Sequence, residues 1–286
     1  MKKRLKIAIQ KSGRMHDGSL DLLRKCGVRV ENGRDQLRVQ ASNFPVDILY
    51  LRNSDIPQYL IDGVADVGIV GENLLVEKQK ELRTLEKLGF SKCRLSIATP
   101  KEMPYQSIQD LQGKKIATSY PNSLQAFLQQ QQIQADIHVI SGSVEIAPSI
   151  GLADAVCDLV SSGSTLFKNG LEEKEVLFKS QACLVSRAIE DADLEAILEQ
   201  LLFRLRSVIT AKNYRYLLMN VPNEQLDKVI GVLPGMKSPT VVKLAEAGWS
   251  SVHTVIGEDD FWEITYELKA NGAEGILIIP IEKMIL

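Results

Sequence analysis

A short apolar run, Ala155–Val160, is broken by one acid, Asp158, and followed at once by Ser161, Ser162, Gly163, Ser164 and Thr165. A run of that length bounded by turn residues suits a buried parallel strand. Residues 166–169, with Gly170 behind them, read as a short helix and its stop. Strand, tight loop and helix in this order make the chain α/β and put the loop at a strand's carboxyl end.

The same order recurs along the chain. A strand over 5–9 leads through 10–14 into a helix over 17–26, with Gly27 as its stop. Strands follow at 36–40 and 46–51, the second delivering Arg52, Asn53, Ser54 and Asp55, and Pro57 starts a helix. A strand over 65–70 closes in Gly71, Glu72 and Asn73 before another helix. DGVADVGIVGENLL and GLADAVCDLVSSGSTLF share Ala-Asp, an apolar strand, a Gly-containing polar turn and a Leu-led helix. If that echo is real, two similar lobes present equivalent loops towards one cleft.

A strand over 93–99 ends in Pro100, where the crossing into a second lobe is expected. That lobe reads as a short helix 108–112, strand 114–118, turn 119–122, helix 123–132 and strand 137–140. A long strand over 176–187 would return to the first lobe, and 190–212 has the apolar periodicity of a helix. The remainder alternates as strand 216–221, helix 223–232, strands 240–244 and 252–256, helix 259–271 and strand 275–279, a βαββαβ ferredoxin-like module. The expected organisation is 1–98 with 180–211 as one lobe, 99–179 as the second, and 212–286 as a C-terminal domain.

A chain of 286 residues, 45% of them hydrophobic, can bury cores of this size. The net charge of −2 and the scattered Lys and Arg give no basic stripe, which argues against nucleic acid. The basic start is followed by too few apolar residues for a signal peptide, and there is no membrane-spanning run. Cys26, Cys93, Cys157 and Cys183 are far apart, as core thiols of a reducing compartment would be, so the expected location is the cytoplasm. His16, His138 and His253 are isolated from one another, and GxxxxGK[ST], GxGxxG after the first strand, GxSxG and HExxH are all missing. Metal-hydrolase, Ser-His-Asp and P-loop chemistry find no support, and His16 is expected to be exposed.

The loop 161–165 offers four hydroxyls, a glycine that lets the backbone approach a ligand, and the N–H groups of a helix start, which together suit an anion. Glu145, Asp154 and Asp158 cannot bind phosphate but can accept hydrogen bonds from sugar hydroxyls. Phosphate donors beside hydroxyl acceptors suggest a ribose 5-phosphate site. From residues alone, a plain turn with an N-cap is the commoner use of such a loop. Lys11 and Arg14 flank Gly13 at another strand end, and two solvated charges are likewise the commoner outcome. Tyr120, in a Pro-containing turn, offers an aromatic face. A two-lobed solute-binding protein would account for the lobes and the anion loop equally well.

The pattern Glu145, Gly151, Ala153, Val156, Asp158, Leu159, Ser162, Gly163, Thr165, Leu166 resembles the signature of the ATP phosphoribosyltransferase family. The resemblance extends over essentially the whole chain, including a C-terminal segment of the family's long form. It implies a two-lobed catalytic core like that of periplasmic binding proteins with an ACT-like regulatory domain. It implies transfer of a phosphoribosyl group from 5-phosphoribosyl 1-diphosphate to ATP, with substrate-borne Mg2+ and no dedicated metal cage. Ser161, Ser162, Gly163, Ser164 and Thr165 would hold the 5-phosphate, and Glu145, Asp154 and Asp158 the ribose hydroxyls or the metal-bound diphosphate. Lys11, Arg14, Arg52, Glu72 and Tyr120 would lie on the ATP side. Histidine would bind as an inhibitor near Asn220, Met236, Thr240 and Gly275, in a dimer or hexamer.

Overall fold

The computed structural model describes residues 3–31, 36–79, 81–234 and 238–286. It divides into two compact units, one holding the segment ending at Arg24 together with Val28–Leu198, the other Lys25–Gly27 and Glu199–Leu286.

The first unit is built on two sheets. The strands of the first are β1 (Leu5–Gln10), β2 (Arg38–Gln40), β3 (Val46–Leu51), β4 (Val67–Gly71), β5 (Arg83–Lys87) and β11 (Ala182–Ser186), in the order β2-β3-β1-β4-β11-β5. β3 and β4 flank β1 in parallel, and β11 runs antiparallel to β4 and β5. Helices α1 (Arg14–Lys25), α2 (Ile56–Ile61) and α3 (Glu72–Lys78) follow β1, β3 and β4. Ala8, Ile56, Leu60, Val70, Leu74, Cys183 and Val185 form one core cluster, so α2 and α3 cover one face of this sheet. Ile56 and Leu60 are fully buried, each contributing about 1.5–3 kcal/mol.

The second sheet has the order β10-β6-β9-β7-β8, from β6 (Cys93–Pro100), β7 (Lys115–Thr118), β8 (Asp136–Val139), β9 (Ala155–Val160) and β10 (Leu171–Ser180). Helix α4 (Pro121–Gln130) follows β7 and the short α5 (Ser164–Lys168) follows β9. Alternate residues feed opposite faces: Ala155 and Cys157 join Leu95, Ile97, Leu124 and Leu128, while Val156 and Val160 join Ala98, Ala117, Val144 and Leu166.

The sequence echo corresponds to equivalent strands. β4 lies between parallel β1 and antiparallel β11, and β9 lies between parallel β7 and antiparallel β6. The run 155–160 is therefore parallel to one neighbour and antiparallel to the other.

Several expected boundaries move. β6 belongs wholly to the second sheet, so the crossing lies between Lys87 and Cys93 rather than at Pro100. The expected strand 176–187 is two strands in different sheets, parted at Gln181. Both halves are apolar enough to read as one. β5, exposed and charged, gave no strand signal. α1 starts at Arg14 and α4 at Pro121, where proline's fixed φ and missing N–H suit a first turn. His16 is partly buried against Tyr50, its Nδ1 2.9 Å from the Gln10 carbonyl oxygen, and is not exposed as expected.

Helix α6 (Ala192–Ala211) runs through the division between the units. In the second unit, β12 (Tyr214–Pro222), α7 (Leu226–Val232), β13 (Thr240–Lys243), β14 (Trp249–Gly257), α8 (Asp260–Ala270) and β15 (Glu274–Pro280) give the expected βαββαβ order. Its sheet, β13-β14-β12-β15, is antiparallel throughout. Leu217, Met219, Val221, Val252 and Ile256 pack on Val229 of α7 and Leu268 of α8. No described helix is long and apolar enough to cross a membrane. The four cysteines are free, with Cys26, Cys157 and Cys183 buried.

Candidate active site

The loop 161–165 leaves the carboxyl end of β9 and is anchored by Leu166, which is buried with Val160. Gly163 sits at φ +79°, a left-handed conformation that turns the chain into α5. Ser161, Ser162, Ser164 and Thr165 are exposed, and Ser162 Oγ donates to Ser164 Oγ at 3.0 Å. A cavity of about 280 Å³ is lined by these residues together with Arg14, Glu145 and Asp158.

Each lining group has a structural reason for being there. Asp158 alternates with Val156 and Val160, so it faces the loop's side of the sheet, opposite Ser96 in the register. Glu145 stands on a single 3₁₀ turn, Val144–Ile146, held down by buried Val144. Burial raises the Asp158 pKa above the ordinary carboxylate range, the Leu159 N–H that it accepts at 2.7 Å opposes this, and the charge of Glu145 adds to the rise. Arg14 reaches from α1 and its Nη1 donates to Ser161 Oγ at 3.1 Å, which joins the two sheets at the cavity.

Asp154 is not brought to this cavity. It precedes β9, whereas the loop follows it, a separation of about 20 Å for six residues of strand. Its Oδ2 accepts the Lys115 N–H at 2.8 Å, and its own N–H donates to the Lys115 carbonyl oxygen at 2.8 Å. Asp66 does the same at the start of β4, accepting the Lys6 N–H at 2.9 Å and donating its N–H to the Lys6 carbonyl oxygen at 3.0 Å. The shared Ala-Asp pair is thus a strand-pinning device of both lobes.

Lys11, Arg52 and Glu72 stand at the carboxyl ends of the adjacent strands β1, β3 and β4, where open α/β sheets present ligand sites. Lys11 and Arg52 are exposed. Glu72 pairs with Lys87 at 2.8 Å and accepts the Gln181 N–H at 3.2 Å. Tyr120 is half-buried against the Leu124 cluster rather than an open aromatic face, and burial, with the charges of Asp158, Cys93 and Glu77, raises its pKa against a hydrogen bond from Asn73.

Two residues were missed. Arg94 Nη1 donates to the Ser161 carbonyl oxygen at 3.2 Å while its guanidinium pairs with Glu173, which steadies the loop from β6. Glu77, on α3, binds the start of α4. Arg94 carried no sequence signal. Glu77 carried none either: Asn122 before the expected helix 123–132 reads as an ordinary N-cap, and only the structure shows α4 starting behind Tyr120 with no side chain of its own capping it.

In the second unit, Asn220 and Gly275 are neighbours, a Cβ on Gly275 falling 3.6 Å from Asn220 Nδ2. Thr240 lies on the far edge strand β13, opposite His253 of β14, and is not brought beside that pair. Met236 lies outside the described residues. Among the described residues no group of three or more His, Cys, Asp and Glu could hold a metal ion.

A family model described as ATP phosphoribosyltransferase matches residues 52–207, more than half of the chain. The chain belongs to the ATP phosphoribosyltransferase family. A second model, the HisG C-terminal domain, matches residues 211–283 and marks the long form. The ATP phosphoribosyltransferase of Cytophaga hutchinsonii is 54% identical over 281 residues, covering 98% of both chains. That of Phocaeicola vulgatus is 53% identical over 282 residues, covering 99% of this chain and all (100%) of that one. Among solved structures, a chain of the ATP phosphoribosyl transferase (HisG:HisZ) complex from Thermotoga maritima matches with a TM-score of 0.60 at 29% identity, covering 71% of this chain and 98% of that chain. The enzyme is a transferase of histidine biosynthesis.

Proposed function

We propose that the enzyme moves the 5-phosphoribosyl group from 5-phosphoribosyl 1-diphosphate to N1 of ATP, giving N1-(5-phospho-β-D-ribosyl)-ATP and diphosphate. The observation that supports this most is the single cavity that gathers an exposed Ser/Gly/Thr loop, two carboxyl groups and one arginine. The bond from C1 of the ribose to the diphosphate oxygen breaks, its electron pair leaves with diphosphate, and the N1 lone pair forms the new bond. Little proton transfer is required, so catalysis is positioning and electrostatics.

In this reading the loop 161–165 holds the 5-phosphate, with Arg14 and Ser161 at its rim. Glu145 and Asp158 receive the ribose hydroxyls and face the positive charge that develops at C1. Both are hard oxygen donors of the kind that share Mg2+ with substrate phosphates, and the ion, arriving with the diphosphate, would neutralise charge on the leaving group. Lys11 and Arg52, exposed at the carboxyl ends of β1 and β3, would meet the ATP phosphates, which their position at neighbouring strand ends supports. Asp154 has no part in it. Thr165→Val should raise the KM for the phosphoribosyl donor severalfold and leave that for ATP nearly unchanged; an unchanged donor KM would remove the loop from the mechanism.

We further propose that histidine inhibits through the C-terminal unit near Asn220 and Gly275, that the enzyme works in the cytoplasm, and that it assembles as dimers and hexamers. The βαββαβ module supports the first of these as a fold suited to small-ligand sensing.

A further inference from the structure

We infer that Glu77 is a positioning residue, a buried pivot through which α3 sets the second lobe's side of the catalytic cleft. Its side chain is nearly fully buried, at 6% exposure, on the face of α3 turned towards α4. Oε1 accepts the Asn122 N–H at 3.0 Å, and Oε2 accepts the Ser123 N–H at 2.9 Å and the Ser123 hydroxyl at 2.7 Å. The Glu77 carbonyl oxygen also takes Asn122 Nδ2 at 2.9 Å. A residue of the first lobe therefore does the work that an N-cap side chain of α4 would ordinarily do. Negative charge at the start of a helix adds to the hold.

This contact has neighbours on both sides. One turn earlier on α3, Asn73 receives the hydroxyl of Ser180 at 3.0 Å, and that hydroxyl accepts the Asn73 N–H at 3.0 Å. Ser180 is the last residue of β10, just before the chain crosses back to the first sheet. On the other side, the turn held by Glu77 continues into Tyr120, whose N–H donates to Thr118 Oγ1 at 2.9 Å, and Thr118 donates to the Cys157 carbonyl oxygen at 2.7 Å. Asp158 is the next residue. The chain of bonds thus runs from α3, which starts at Glu72, to the strand that carries Asp158 and the loop 161–165. Glu77 acts through these groups and touches no reacting atom.

The inference rests on the proposed reaction for its kinetic consequence, and on geometry alone for the pivot. The test is Glu77→Gln in the full-length enzyme, a near-isosteric change whose amide nitrogen would face an N–H donor. Two readouts are taken: steady-state kinetics with 5-phosphoribosyl 1-diphosphate and ATP, and hydrogen exchange of peptides from α1, α3 and α4. The expected result is faster exchange in α3 and α4 but not α1, with both KM values raised roughly tenfold, as for loss of a charge-assisted hydrogen bond, and kcat changed far less. Unchanged exchange in α3 and α4 would overturn the pivot. Faster exchange with both KM values unchanged would reduce Glu77 to a structural cap and overturn its positioning role. If Glu77→Gln does not fold, Ser123→Ala carries the test, with about a threefold rise in both KM values expected for loss of one hydroxyl donor and no rise overturning the inference. Should the wild type give no product from these substrates, the proposed reaction fails, and the exchange readout still decides the pivot.

Discussion

Asp154 and Lys115 exchange two hydrogen bonds, both at 2.8 Å, at the amino ends of β9 and β7, the far end from the loop of the candidate site. Asp66 and Lys6 repeat the pair at the starts of β4 and β1. The device fixes parallel register where no turn joins the strands, and it keeps Asp154 at the opposite end of β9 from the cavity that Asp158 lines. Asp154→Ala should lower stability by about 1 kcal/mol, the net worth of such a bond, with kcat and both KM values of the folded enzyme unchanged. Denaturant unfolding beside steady-state kinetics checks it. A large fall in kcat without loss of stability would return Asp154 to the active site.

Asp158 should behave in the opposite way. Burial, reinforced by Glu145, places its folded-state pKa above that of the unfolded chain. Between those two values the folded protein holds a proton that the unfolded chain has released, so stability is highest below the unfolded pKa and falls as pH rises through the folded one. At neutral pH the ionised side chain is a standing cost. Asp158→Asn is therefore expected to raise the neutral Tm and flatten its pH dependence while lowering kcat by roughly a hundredfold, the scale of a lost electrostatic contact. Thermal melts across the acidic range and turnover at neutral pH test both halves.

Gly163 stands at φ +79° and ψ −3°, where an L side chain costs about 1–2 kcal/mol. Gly163→Ala should raise the KM for the phosphoribosyl donor about tenfold as the loop shifts, with a smaller change for ATP. Initial-rate measurements with each substrate varied in turn distinguish the two.

Gly18 lies within α1 because the Phe90 ring occupies the space a side chain would need. A Cβ there would fall 2.4 Å from Phe90 Cδ2. Helix propensity alone favours alanine over glycine by about 1 kcal/mol. Overpacking should outweigh that, making Gly18→Ala destabilising by roughly 1–2 kcal/mol, and Gly18→Ala with Phe90→Leu should recover most of the loss. Chemical denaturation of both variants is the check.

The sequence makes the α/β order legible because strands such as β1, β3, β4 and β9 are short, apolar and closed by a turn, and the loop 161–165 stands out for its hydroxyls. The misplacements have physical causes. The last part of β10, residues 176–178, and the start of β11, residues 182–185, are both apolar and only three residues apart, so nothing local marks the change of sheet at Gln181. The repeat of Ala-Asp was visible, yet its meaning needed Lys6 and Lys115 beside the two acids, which are contacts between distant segments. Tyr120 is drawn inward by Asn73 and the Leu124 cluster, and a turn read in isolation shows neither. Arg94 and Glu77 act through backbone groups of other elements, which leaves no pattern in their own neighbourhoods.

The most direct measurement is turnover by the purified full-length protein with ATP, 5-phosphoribosyl 1-diphosphate and Mg2+, following N1-(5-phospho-β-D-ribosyl)-ATP with and without histidine. Product formation that histidine suppresses is the expected result. Formation that histidine leaves untouched would keep the transfer and remove the proposed effector site at Asn220 and Gly275. No product at saturating substrates, from protein shown to be folded, would contradict the proposed reaction.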